Sequence, residues 1–308
     1  MPRCEWGPGE GRAPAHHGEI LQGVFRDGTR QRRGLVTLPC PLYTAQARFV
    51  PRQGEPVSVR PAWKEKARLA AELTLAATEG PDAQVGGVLE IENNAPIRRG
   101  FGSSTSDVLA TVRAIGDALD SPLPPASVAR LAVRAEAASD SLMFEDTAVL
   151  FAQREGELIE DFGAPLPPLN VLGFGTGPGN CGVDTLAMPP ARYTRREAEL
   201  FAELREMLRE ALSLGDAALL GSVATASTRI NQRHLPIPGL DRLLAVAHEC
   251  GAVGLQAAHS GDIAGLLFAE SPDTELRMDC AETLLQQLNI HEQWRFRTSE
   301  ADVAFSAL

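Results

Sequence analysis

Residues 90–119 read EIENNAPIRRGFGSSTSDVLATVRAIGDAL. The stretch opens as a strand, with apolar Leu89 and Ile91 alternating with polar neighbours. It turns through Pro96, Gly100 and Gly102 into three hydroxyl residues, Ser103, Ser104 and Thr105. Val108, Leu109, Val112, Ile115 and Leu119 follow at the spacing of one buried helix face. A glycine-rich turn feeding a helix predicts an anion site. The glycines let the backbone approach, the first-turn N–H groups have no helical partner, and the helix dipole favours negative charge. Ser104 or Thr105 can also offer a hydroxyl to a metal carried on phosphates. The plain alternative is a turn with a Ser/Thr cap. The stretch is neither G-x-G-x-x-G nor a Walker loop, since no Lys follows the glycines.

The 308 residues suffice for one large or two ordinary domains. With 44% hydrophobic and 22% charged residues the chain reads as soluble and globular. A net charge of −11 and the lack of a basic run argue against a nucleic-acid surface. No apolar run reaches the ~18 residues of a membrane span, and the polar first dozen residues do not read as a signal peptide. Cys4, Cys40, Cys181, Cys250 and Cys280 are odd in number and form no C-x-x-C pair. They predict neither a disulfide scaffold nor a zinc site, and a reducing cytoplasm is the simplest home.

Outward from the central stretch, residues 1–13 read as a loose arm, and 13–25 and 34–50 as strand regions. His16 and His17 stand before Gly18-Glu19. A metal there is set aside, because no H-E-x-x-H helix or third ligand follows. Residues 64–79 read as a helix, and so do 124–139, with Pro124 and Pro125 suited to the first turn. If that second helix runs through, Glu136 and Asp140 lie at i and i+4 on one face. Acids so spaced usually mark a solvated surface. The neighbouring Leu142-Met143-Phe144 argues instead for partial burial, where Mg2+ is a natural partner. A hairpin turning at Glu155-Gly156 follows, and Pro165, Pro167 and Pro168 suggest a boundary dividing 1–165 from 166–308.

The second half reads as a strand at 169–175, a glycine-rich loop ending at Asp184-Thr185, helices at 197–214, 216–232 and 241–250, two strands around residues 258–262, a helix at 273–288 and a strand at 293–298. This order predicts an α+β sandwich. From spacing alone the Asp184 loop is a turn, and His259 is either a structural hydrogen-bonder or a general base.

Pro96-x-x-x-Gly100-Phe101-Gly102-Ser103-Ser104 resembles the phosphate-binding motif of the galactokinase, homoserine kinase, mevalonate kinase and phosphomevalonate kinase (GHMP) superfamily. Pro14, Gly18 and Glu19 resemble its first motif, and Gly18-Glu19-Ile20-Leu21-Gln22-Gly23 is similar to members acting on small hydroxy amino acids. Such members carry small residues where His16-His17 stand, a departure at this edge of the pocket. Ala258-His259-Ser260-Gly261 resembles the third motif. That version, the Asp184-Thr185 segment and Glu136-x-x-x-Asp140-Ser141 are similar to the L-threonine kinase branch, which makes O-phospho-L-threonine for cobalamin.

The resemblance implies a two-domain α+β GHMP kinase fold, with a ribosomal S5 domain 2-like N-terminal half and a ferredoxin-like α/β sandwich C-terminal half. It implies an ATP- and Mg2+-dependent kinase acting on a small hydroxy amino acid or another small alcohol. Residues Pro96 and Gly100 to Thr105 would hold the nucleotide's phosphates, Ser104 and Glu136 the Mg2+, and Asp140 would face the acceptor hydroxyl. Gly18, Glu19, Asp184, Thr185, His259, Ser260 and Gly261 would border the acceptor, with Asp184 for an ammonium and Arg98 or Arg99 for a carboxylate. Read from the sequence alone, either arginine is a surface residue. The expected partners are the small-molecule substrate and neither nucleic acid nor membrane, with the chain a monomer or homodimer. A ligand sensor that kept this fold without the chemistry is the contrasting expectation; the paired acids argue against it.

Overall fold

The computed structural model describes residues 6–79, 84–97, 99–177, 191–258 and 262–299. Its spine is a pair of long antiparallel strands, β1 (Gly9–Asp27) and β2 (Arg30–Gln53). β1 starts at Gly9, earlier than the loose arm expected through residue 13, because Gly9 to Ala13 pair with Phe49 to Ala45 of β2. β3 (Val57–Arg60), helix α1 (Glu65–Thr78) and β4 (Val85–Asn93) follow, then α2 (Ser103–Ala118) and α3 (Pro125–Glu136). The hairpin β5 (Val149–Ala152) and β6 (Glu157–Asp161) turns at Gly156 and leans on β2 through Phe151 opposite Leu35. The later part comprises β7 (Leu169–Gly175), α4 (Arg195–Leu214), α5 (Ala217–Asn231), α6 (Leu240–Glu249), β8 (Gly254–Ala257), β9 (Ile263–Ala269), α7 (Thr274–Gln287) and β10 (Gln293–Arg297).

The strands form one sheet in the order β10-β7-β9-β8-β1-β2-β4-β3. Among the described residues, β1 meets β8 at one register pair, Glu19 opposite Ala257. Three apolar cores lie on this sheet. α1, α2 and α3 bury Leu89, Val108, Leu109 and Ile115 against the β1–β2–β4 side. α4 and α5 bury Phe201, Leu208 and Val223 against Ile20, Leu21 and Leu38. α6 and α7 bury Leu243 and Met278 against Phe174, Leu266 and Phe268.

Helix ends follow their local chemistry. Thr194 and Glu197 close a reciprocal capping box on α4, and the Asp216 carboxylate accepts from the Ala218 and Leu219 N–H groups at the start of α5. α3 departs from expectation. It ends at Glu136, because Ala137 takes a left-handed conformation (φ 67°) and its N–H closes on the Val133 carbonyl. Glu136 and Asp140 therefore do not share one helix. The Cys250 and Cys280 sulfurs lie 3.2 Å apart as free thiols. No described helix is long and apolar enough to cross a membrane.

Candidate active site

α2 is buried on nearly every side, and it lies on β1, where the Ser106 hydroxyl donates to the Pro14 carbonyl at 2.8 Å. Its N-cap, Gly102, is left-handed at φ 63°. The Ser106 N–H makes the helix-starting bond to the Gly102 carbonyl, so the N–H groups of Ser103, Ser104 and Thr105 lie ahead of the helical ladder. They border a cleft of about 800 Å³ whose walls include Trp63, Lys66, Asn93, Gly100, Glu136 and Asp140. Asn93 braces the helix entry by donating to the Ser103 carbonyl at 3.0 Å and to Asp107 at 2.8 Å. Lys64 donates to the other Asp107 oxygen at 2.5 Å.

Although α3 stops early, its two acids still converge. Ser104 Oγ donates to Glu136 Oε2 and Thr105 Oγ1 to Glu136 Oε1, each at 2.8 Å. Thr105 Oγ1 also lies 3.4 Å from Asp140 Oδ2. The loop after α3 is pinned at both sides of Asp140. The Ser139 N–H donates to the Gln153 carbonyl, and the Ser141 N–H donates to Thr37 Oγ1 of β2 at 3.2 Å. The Glu136 carboxyl is pushed up to about 7, first by burial and also by the charge of Asp140, against the opposing pull of Lys66 and the two hydroxyls. Lys66 Nζ stands 3.9 Å from Glu136. A buried acid with hydroxyl oxygens beside it suits a hard, oxygen-seeking cation such as Mg2+.

β1 stands behind Asp140, with its own residues outside the cleft lining. Its register with β2 shifts between Pro14 and Ala15, between His16 and Glu19, and between Glu19 and Leu21. Such bulges re-aim side chains next to active sites. Here Gly18 is left-handed (φ 66°) and packs against Gln256 and Ala258. His16 is fully buried, and its Nε2 lies 2.9 Å from Asp140 Oδ2 while its Nδ1 lies 4.0 Å from Glu19 Oε1. Ligand atoms of His16, Glu19 and Asp140 all fall within 4.8 Å of one another. The third potential ligand absent from the sequence reading is thus present in space. His17 points the other way, among Phe101, Trp294 and Phe296, with its Nδ1 against the Gln256 amide. Burial, and then the charge of His16, push its imidazole down to about 3, so it is neutral.

Of the expected site residues, Gly100, Gly102, Ser103, Ser104, Thr105, Glu136 and Asp140 all line the cleft. Phe101 is buried against Tyr43, His17 and Trp294, so its ring packs beneath the loop. Pro96 precedes the turn outside the cleft lining. Glu19 faces His16, and Gly18 sits at the β1–β8 junction. Asp184, Thr185, His259, Ser260, Gly261 and Arg98 lie outside the described residues. Arg99 is not a surface residue. It is buried, with its Nε donating to Asp262 at 2.7 Å and its Nη2 to Glu292 at 2.6 Å. Those carboxylates answer its charge, which argues against a substrate carboxylate there. The sequence reading missed Thr37, Lys64, Lys66, Asn93 and Asp107. For Asn93 and Asp107 a signal existed, since both flank the glycine turn on the strand and helix that frame it.

The description "GHMP kinases N terminal domain" matches residues 64–147, which hold the loop, α2 and both acids. The chain is 26% identical to the L-threonine kinase of Salmonella typhimurium over 258 residues, 83% of this chain and 82% of that protein. It is 29% identical to the L-threonine kinase of Citrobacter freundii over 180 residues, 58% of this chain and 62% of that protein. The chain is thus similar to GHMP kinases, through this N-terminal domain and through these relatives. GHMP kinases are ATP-dependent phosphotransferases, and this protein is an enzyme of that class. Its fold is the two-domain fold of solved GHMP kinases. Homoserine kinase from Cytophaga hutchinsonii superposes with a TM-score of 0.69 at 16% identity, covering 96% of both chains. L. major mevalonate kinase, solved with R-mevalonate, gives 0.63 at 18% identity, covering 95% of both.

Proposed function

We infer that this protein transfers the terminal phosphoryl group of ATP, with Mg2+, to the hydroxyl of a small hydroxy amino acid, and that the acceptor is L-threonine. The observation carrying the chemistry is the gathering of Ser104, Thr105, Glu136 and Asp140 at the N-terminus of α2 in one cleft. The acceptor rests on the two L-threonine kinases among the relatives.

In this reading the N–H groups of Ser103, Ser104 and Thr105 hold phosphate oxygens, where the helix dipole and unpaired donors favour anions. Ser104 Oγ and Glu136 hold the metal. Bound there, Mg2+ neutralises charge on the phosphate oxygens. Lys66 adds positive charge 3.9 Å from Glu136. The transition state is mainly a problem of positioning and charge, which these fixed groups meet in advance. Asp140 aligns the acceptor hydroxyl. As the new O–P bond forms and the bond to the ADP leaving group breaks, the hydroxyl proton passes to Asp140. Asp184 takes the substrate ammonium, and Thr185 with residues 259–261 completes the acceptor wall; support for these is the sequence resemblance.

A second reading, phosphorylation of homoserine, is favoured by one observation. The chain is 27% identical over 176 residues to the homoserine kinase of Moorella thermoacetica. Incubation with MgATP and a panel of L-threonine, L-serine, L-homoserine and small alcohols separates the readings by product mass. A product ~80 Da heavier, as expected for an added phosphoryl group, from L-threonine above all others is expected. The same gain on homoserine would move the acceptor and leave the chemistry. Nucleotide binding with no product from any acceptor would point to a sensor.

A further inference from the structure

The His16–Asp140 contact joins two motifs that the reaction needs together. The imidazole is fully buried, and its position is fixed from three sides. The His16 backbone N–H donates to the Phe101 carbonyl at 3.1 Å, tying the bulge of β1 to the phosphate loop. The ring lies flush against Gly102, where a Cβ would collide with its Cδ2 and Nε2. Its two nitrogens face two carboxylates, Asp140 at 2.9 Å and Glu19 at 4.0 Å. His17, adjacent in the chain, is neutral. The Asp140 contact is within hydrogen-bond reach and the Glu19 contact is not, so the ring bears chiefly on Asp140. Meanwhile Asp140 lines the cleft. Its Oδ2 is shared by His16 Nε2 and Thr105 Oγ1, so the carboxylate's rotation is set by one group from β1 and one from α2.

We propose that His16 is a positioning residue for the acceptor end of the reaction, holding the Asp140 carboxylate by its Nε2 and locking it to the phosphate loop through Gly102 and Phe101. The role rests on Asp140 as the carboxylate that meets the acceptor hydroxyl. It also gives the His16 departure from the small residues of similar motifs a use. The chain spends the space under the loop on a donor that fixes one carboxylate relative to the phosphates. Misplacing a reacting group by an ångström costs about 10²-fold in rate, so the contact has room to matter.

The test compares His16→Gln, whose terminal amide donor reaches the imidazole Nε2 position, with His16→Asn, whose donor reaches the Nδ1 position. Both are made alone and with Asp140→Asn, using the acceptor that gives most product in the panel. His16→Asn is expected to lower kcat by about 10²-fold with the Kd for ATP and the melting temperature little changed. His16→Gln is expected to recover most of the lost turnover. In the Asp140→Asn background neither change is expected to cost more. Equal losses in Gln and Asn variants, tracking a fall in melting temperature, would reduce His16 to packing. Losses that multiply with that of Asp140→Asn would show that it does not act through Asp140. Near wild-type turnover in Asp140→Asn alone would instead remove the reading on which the role rests. Calorimetry with Zn2+ or Mn2+ on nucleotide-free protein is the remaining check. Tight stoichiometric binding lost in His16→Gln would make the trio a metal site and overturn the positioning role.

Discussion

The loop-and-helix side of the cleft, from Gly100 to Ser106, is one continuous run of chain, whereas the side around Asp140 is assembled from distant pieces. Those pieces are the bulge of β1 at His16 to Glu19, Thr37 of β2, the loop after α3 and the Gln153 carbonyl at the end of β5. The continuous side carries its own anion donors, because a glycine turn and a helix N-terminus supply them, while outside groups such as Asn93 and Pro14 brace it. The assembled side needs a separate partner for each group it orients. Anion holding is therefore local and robust here. Alignment at Asp140 depends on long-range packing, and it should fail first when a supporting contact is lost.

Gly102 joins the two sides, and substitution there should do the most harm. Gly102→Ala places a Cβ at a left-handed position and against the His16 ring, so both the loop and the bulge must shift. Loss of turnover beyond about 10²-fold is expected, with weaker ATP binding as well. Normal ATP affinity and turnover in this variant would break the link between the sides.

Glu136, at the end of α3, accepts from Ser104 and Thr105 of the helix side, and its removal should act on the metal rather than on the acceptor. Glu136→Gln is expected to raise the Mg2+ concentration for half-maximal turnover by at least about 10-fold, the scale of losing even an outer partner of a metal ligand. An unchanged Mg2+ titration would remove the ligand role. The same residue makes the metal-free protein pH-sensitive. The folded carboxyl ionises near 7 against an ordinary 4.5, so stability is present below about 4.5 and lost as pH rises to about 7. Thermal melts without metal should show this decline. Glu136→Gln should flatten it and melt higher at pH 8; a parallel decline in that variant would assign it elsewhere.

Thr37 tests the assembled side most gently. Thr37→Val removes the oxygen that accepts from the Ser141 N–H, leaving a buried donor unpaired at a cost of about 1–3 kcal/mol. Turnover should fall less than with either change above, while ATP affinity stays put. An unchanged denaturation midpoint would mean that the Asp140 loop is held by other contacts.

The same contrast explains what the sequence disclosed. Ser103, Ser104 and Thr105 were legible because turn, cap and helix period are local signals. The starts of α4 and α5 were nearly so: expected at 197 and 216, they lie at Arg195 and Ala217. The end of α3 was not, since Ala137 is an unusual residue for a left-handed cap and gives no warning. The approach of Glu136 and Asp140 was expected for the wrong reason. A shared helix face was the expectation, whereas the two acids meet across the Thr105 hydroxyl because the loop after α3 is pinned to Gln153 and Thr37. His16 against Asp140, Thr37 against Ser141, and Arg99 against Asp262 and Glu292 leave no trace in spacing. Each joins segments far apart in the chain and depends on how β1 bulges and the sheet curls.

The division of labour across the cleft is tested most directly by measuring MgATP binding and phosphoryl transfer to L-threonine in parallel on wild type and Asp140→Asn. Calorimetry should give the same ATP affinity for both proteins, while turnover falls by about 10²–10⁴-fold, the range for loss of a positioned acid–base group. Wild-type turnover, or loss of ATP binding together with turnover, would contradict it.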